Sequence, residues 1–204
     1  MPKKIVITKL GGPEVLKYVD YELESKIFDN DVRIKQTAIG INYIDTYHRS
    51  GIYPLPTKLP VCPGLEASGE VIGIGENVSG FKVGDRVCYA SVPMGAYCEI
   101  RDFPASNLIK VPDSISNDTA ASILLQGMTV EYLFERLYQI KKDEYILFHA
   151  AAGGVGLIAC QWAKSIGCKM IGTVSTNEKA ELAKANGCSF IINYKSENVV
   201  EKVK

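Results

Sequence analysis

From Tyr145 onward the chain repeats one pattern three times: a short apolar run followed by a segment with helical spacing. "YILFHA" leads into "GLIACQWAKSIG", "KMIGTV" into "NEKAELAKANG", and "SFIINY" into "SENVVEKVK". Apolar runs this short cannot be amphipathic helices, and strands apolar on both faces need helices to cover them. The alternation therefore predicts a parallel sheet with right-handed crossovers. Gly167 and Gly187 stand where left-handed helix C-caps are expected.

The first half obeys a different period. Up to about residue 115 the chain alternates apolar and polar residues in short runs: "KIVITKLGG", "VLKYVDYEL", "DVRIKQTAIGI", "GEVIGIGENV", "GDRVCYA", "GAYCEI" and "NLIKVPD". This predicts a β-rich unit, a barrel or strongly bent sheet. Within it Val71 and Ile72 are expected to start a strand, and Gly84 and Asp85 to turn the chain into Arg86. "NYIDTYHRSG" reads as one short helix closed by Gly51, and Pro54, Pro56, Pro60 and Pro63 then impose an extended loop. From Ser116 a longer helix is expected, with Asn117 or Asp118 as cap and an interruption at Gly127. The fold class is thus mixed: a β-rich domain over residues 1–124, then an α/β unit over residues 125–204.

Composition removes several functional classes. Lys plus Arg total 23 and Asp plus Glu total 23, so no overall charge bias draws the chain to nucleic acid or an acidic membrane. No apolar stretch approaches a membrane span and the start lacks a secretory pattern, which makes the cytoplasm the expected location. Six cysteines lie without close pairs, as expected of reduced core thiols rather than metal ligands.

The chemistry concentrates at "FHAAAGGVG". Gly153, Gly154 and Gly156 follow a strand and open a helix, where backbone amides and the helix dipole favour a pyrophosphate. Against the dinucleotide fingerprint, Ala151 replaces the first glycine; Ala152 and Val155 complete the loop, and Gly156 allows close helix–sheet packing. About 20 residues further on an acid would hold the ribose of NAD, but Ser175 stands there. Serine can donate to a 2'-phosphate and Lys179 can pair with it, so the expected cofactor is NADPH. Lys179 as a merely solvated lysine is the competing reading.

These segments resemble the zinc-free NADPH:quinone oxidoreductases, the zeta-crystallin-like group of the medium-chain dehydrogenase/reductase superfamily. "GGPEVLKY", "AIGINYIDTYHRSGIYP", "PGLEASGEVIGIG", "KVGDRV" and "LLQGMTVEYL" extend the resemblance along the whole chain. It implies a GroES-like catalytic domain followed by a Rossmann domain, with nicotinamide in the cleft between them. By the same resemblance Asn42 and Tyr47 line the active cleft, Thr129 lies near the nicotinamide ribose, and Ser175, Lys179 and Tyr194 hold the 2'-phosphate. Taken residue by residue, Asn42 reads equally as a helix cap, Tyr47 as a packed aromatic, and His149 as structural.

Zinc relatives carry a cysteine turn and a Gly-His-Glu stretch where this chain has "GINYID" and "PGLEASG". Leu65 takes the histidine position, so no metal site is expected and Glu66 alone cannot make one. A quinone needs less Lewis-acid help than an alcohol–carbonyl pair, which makes a small-molecule quinone the expected substrate. Reduction of α,β-unsaturated carbonyls such as enoyl thioesters is the alternative within enzymes.

A complete dinucleotide fold has two β-α-β-α-β halves, and only the first is legible here. The resemblance implies a homodimer, formed by a strand this chain lacks, and a return segment completing the catalytic domain. The chain accordingly reads as C-terminally truncated, and a non-catalytic fragment with weak NADPH binding is a further expectation.

Overall fold

The alternating runs of the first half form strands. In the computed structural model, which describes residues 1–204, β1 (Lys3–Ile7) and β2 (Leu16–Asp20) pair antiparallel. A second sheet contains β3 (Asp31–Gly40), β4 (Glu66–Ile74), β5 (Arg86–Ala90), β6 (Ile100–Pro104) and β7 (Ile109–Lys110). Its order is β6-β3-β4-β5-β7, all antiparallel. β3 carries register shifts at Arg33/Ile34 and Gln36/Ala38, irregularities that bend a strand. Of the two sequence alternatives, the open bent sheet forms, with β6 and β7 as edges. Alternate residues Val32 and Ile34 point inward to meet Val71, Val87, Tyr89 and Phe103. The Tyr89 and Phe103 rings stack at 4.0 Å.

Three boundaries differ from expectation. β4 begins at Glu66 rather than Val71, because Glu66 to Glu70 pair with β3 on one side and β5 on the other. Small and polar residues carry that stretch, so backbone pairing defines it where apolar alternation does not. "GAYCEI" contributes a single bridge at Cys98 before β6 starts at Ile100. The amides of Gly95 and Ala96 turn to the carbonyl of Gly64, and that of Tyr97 to Pro63, in place of a regular ladder. The long helix α2 (Asn117–Glu131), which follows α1 (Tyr43–Ser50), is capped by neither Asn117 nor Asp118. Ser116 Oγ accepts the Thr119 amide at 3.1 Å, while the Asn117 side chain donates to Thr37 Oγ1 at 2.7 Å. Gly127 does not interrupt α2; the helix changes to π geometry over Tyr132–Leu137.

Contacts divide the chain into two units, Met1–Leu125 and Gln126–Lys204. The second contains β8 (Tyr145–Phe148), α3 (Gly154–Ile166), β9 (Lys169–Val174), α4 (Asn177–Ala185), β10 (Phe190–Asn193) and α5 (Val199–Val203). Its parallel sheet has the order β10-β9-β8. Ala159, Cys160, Ala163 and Met170 are fully buried in its core, with Trp162 and Ile146 packed against them. Gly167 closes α3 in the left-handed region at φ 83°. Five of the six cysteines are buried, Cys62 is half-buried, and all are free thiols. No helix is long and apolar enough to cross a membrane.

Candidate functional site

The turn after β8 brings most of the glycine-loop residues to one place. Ala150 takes φ 55°, a left-handed conformation that costs an alanine about 1–2 kcal/mol. It permits the reversal in which Gly153 donates to the Ala150 carbonyl at 2.8 Å. Gly153 is the N-cap of α3 and brings no side-chain acceptor. The first-turn amides of Gly154, Val155 and Gly156 therefore lack intrahelical partners, the condition for meeting an anion. Val155 packs its side chain against the core. A Cβ on Gly156 would meet the Ala151 carbonyl carbon at 2.6 Å, so the helix start lies directly on the loop backbone.

Ala150, Ala152 and Gly153 line a cavity of about 120 Å³ together with Thr173, Val174, Ser175, Lys179 and Tyr194. The segment after β9 contributes Ser175 and the first turn of α4. Thr176 caps that helix by accepting the Lys179 amide, and Lys179 Nζ lies 3.4 Å from Ser175 Oγ. Tyr194 follows β10 and is anchored by donation of its amide to the Val174 carbonyl at 3.1 Å. A cationic amine, a hydroxyl and a phenol thus converge on one small cavity at the loop that leads into α3. That donor set suits a phosphorylated ribose, with the pyrophosphate on the glycine loop. Thr129 is half-buried in α2 and does not line this cavity. Sequence reading passed over Thr173, whose role depends on bonds across the sheet that no spacing reveals.

In the first unit, Asn42 and Tyr47 belong to α1. Asn42 is its N-cap in a reciprocal capping box with Asp45. Asn42 Nδ2 also donates to Glu66 Oε2 at 2.7 Å, and Glu66 Oε1 accepts the Leu125 amide at 2.7 Å. Both side chains are buried. The cap reading of Asn42 is thus realised, and its amide is held by α1 and β4. Burial is the main influence raising the Glu66 carboxyl above its ordinary range, opposed by the bonds from Asn42 and Leu125. Asp45 is likewise raised by burial, against the Asn42 amide and the Tyr97 hydroxyl, which donates to it at 2.8 Å. Tyr47 sits between Tyr43, with centroids 5.4 Å apart, and Tyr53, at 5.2 Å, so packing fixes its ring. Glu66 as the anchor of this cluster is a second residue whose part was not legible in sequence. Leu65 is buried, and no group of three or more His, Cys, Asp or Glu side chains is placed to hold a metal ion.

Known proteins align with both units. The alcohol dehydrogenase GroES-like domain matches residues 29–113, and the family described as zinc-binding dehydrogenase matches residues 154–204. A Pseudomonas aeruginosa quinone oxidoreductase is 49% identical over 203 residues, covering 100% of this chain and 62% of that protein. The crystal structure of Escherichia coli quinone oxidoreductase complexed with NADPH superposes with a TM-score of 0.96 at 48% identity, over 99% of this chain and 61% of that one. A 2-haloacrylate reductase from a Burkholderia species is 43% identical, over 98% of this chain and 61% of its own length. The chain therefore spans about three fifths of the length of these relatives. With a GroES-like β unit, a parallel α/β unit and a glycine loop in matching order, the chain belongs to the quinone oxidoreductase family of the medium-chain dehydrogenase/reductase superfamily.

Proposed function

We propose that this chain carries the cofactor-contacting and substrate-contacting parts of an NADPH:quinone oxidoreductase that works without zinc. Residues 1–124 form its GroES-like catalytic part, and residues 125–204 the first half of its NADPH-binding domain. The observation that carries the reading is the cavity where Gly153, Ser175, Lys179 and Tyr194 meet. A carboxylate in place of Ser175 would repel a 2'-phosphate; serine and lysine there attract it. The E. coli relative complexed with NADPH supports the same cofactor.

When bound, NADPH supplies a hydride. The chain's own residues then have to position an electron-poor acceptor and stabilise the oxygen on which charge develops. Tyr47, with its ring fixed by Tyr43 and Tyr53, is assigned to donate a hydrogen bond on the substrate side. Asn42 lines that side while holding the start of α1. Thr129 is assigned to the nicotinamide ribose. Leu65 offers no donor atom to a metal, and the Asn42 amide is already held by Glu66, which supports zinc-independent chemistry. The protein of family length is proposed to be a cytoplasmic homodimer.

The 2-haloacrylate reductase relative favours a second reading, reduction of an activated carbon–carbon double bond conjugated to a carboxyl group. NADPH oxidation by the family-length protein, measured with a benzoquinone and with 2-chloroacrylate, separates the two. Quinone turnover that is unchanged by a zinc chelator supports the first reading. Turnover with the acrylate alone, or loss of activity on chelation, contradicts it.

A further inference from the structure

Thr173 is the one buried polar side chain of the cofactor cavity with no role in the reading above. Only 2% exposed at the end of β9, it engages three consecutive residues of the loop. Its carbonyl accepts the Ala151 amide at 3.1 Å, and its hydroxyl oxygen accepts the Ala150 amide at 3.3 Å. The same hydroxyl lies 3.1 Å from His149 Nδ1.

These contacts assign a proton. A backbone amide can only donate, so the Ala150 contact uses an oxygen lone pair, and the hydroxyl proton needs an acceptor of its own. His149 Nδ1 is the acceptor beside it. An imidazole protonated on Nδ1 would leave a buried hydroxyl proton unpaired, which is costly. Neutral His149 therefore carries its hydrogen on Nε2, on a ring that is exposed. His149 stands at the carboxyl end of β8, the side of an open α/β sheet where ligands bind.

We propose that Thr173 is the positioning residue of the cofactor loop, holding Ala150 in its left-handed conformation and presenting His149 as an Nε2–H donor to an oxygen of the bound dinucleotide. The proposal rests on the NADPH reading for the identity of the ligand, whereas the clamp on the loop exists in the free chain.

Two measurements on the 204-residue chain test it. Long-range ¹H–¹⁵N spectra of the imidazoles report the His149 tautomer without ligand, and calorimetric titration reports NADPH affinity. The wild-type chain is expected to show Nε2–H. Thr173→Val is expected to lose that preference and to bind NADPH about fivefold to tenfold more weakly, the effect of losing one buried hydrogen bond. Thr173→Ser, which keeps the hydroxyl, is expected to restore both; it also decides the matter should the valine variant fail to fold. Nδ1–H in the wild type overturns the clamp. So does a folded Thr173→Val that binds NADPH within about twofold of wild type. If the wild-type chain does not bind NADPH at all, the cofactor reading and donation to the dinucleotide both fall, while the tautomer spectra still distinguish that failure from failure of the clamp.

Discussion

Lys179 occupies a position that protein stability alone disfavours. It is the third residue of α4, where the helix dipole is already positive, so a cation there raises the energy of the free chain unless an anion sits nearby. The account predicts that Lys179→Ala stabilises the ligand-free protein by about 0.5 kcal/mol in urea denaturation while weakening its hold on NADPH. Glu66 shows the reverse balance, a buried carboxylate tied by two donors and facing no cation. Its raised pKa means that its contribution to stability is complete below 4.5, the ordinary glutamate value, and is lost as pH rises through the raised value. Glu66→Gln is therefore expected to flatten the decline in stability as pH rises above 4.5, the ordinary glutamate value. It should also lower stability throughout by about 1–3 kcal/mol, because the new amide nitrogen faces a donor. Urea midpoints across that range check both effects, and an unchanged pH slope contradicts the assignment.

Among the elements, two glycines make opposite predictions. Gly127 lies inside α2 with nothing within 4 Å of an added Cβ, so Gly127→Ala should stabilise by about 1 kcal/mol and raise the melting temperature. In Gly156→Ala the new methyl would be forced against the loop backbone, and a loss of about 1–3 kcal/mol together with NADPH binding is expected in melting and titration experiments. The elements that sequence made legible are those whose apolar period is unbroken: β8, β9 and β10 with α3 and α4, and the Gly51-capped α1. Those it obscured depend on partners distant in the chain. β4 starts at Glu66 because two neighbouring strands pair with it, not because its own residues alternate. Ser116 rather than Asn117 caps α2 because Thr37 and Arg86 engage the Asn117 side chain. At the site, the glycines, Ser175 and Lys179 were legible from strand–loop–helix order, whereas Thr173 and Glu66 gain their importance only from bonds across sheets.

At the scale of the whole molecule, every residue assigned to the pyrophosphate and the 2'-phosphate lies in the unit Gln126–Lys204. Discrimination between the two nicotinamide cofactors should accordingly be a property of this chain, even though it covers about three fifths of its relatives' length. The most direct test of the central claim is calorimetric titration of the chain and of Lys179→Ala with NADPH and with NADH. The account predicts that wild type binds NADPH at least about tenfold tighter than NADH, and that Lys179→Ala removes most of this preference by weakening NADPH alone. Equal affinity of the wild type for both cofactors, or an equal loss for both in the variant, would contradict it.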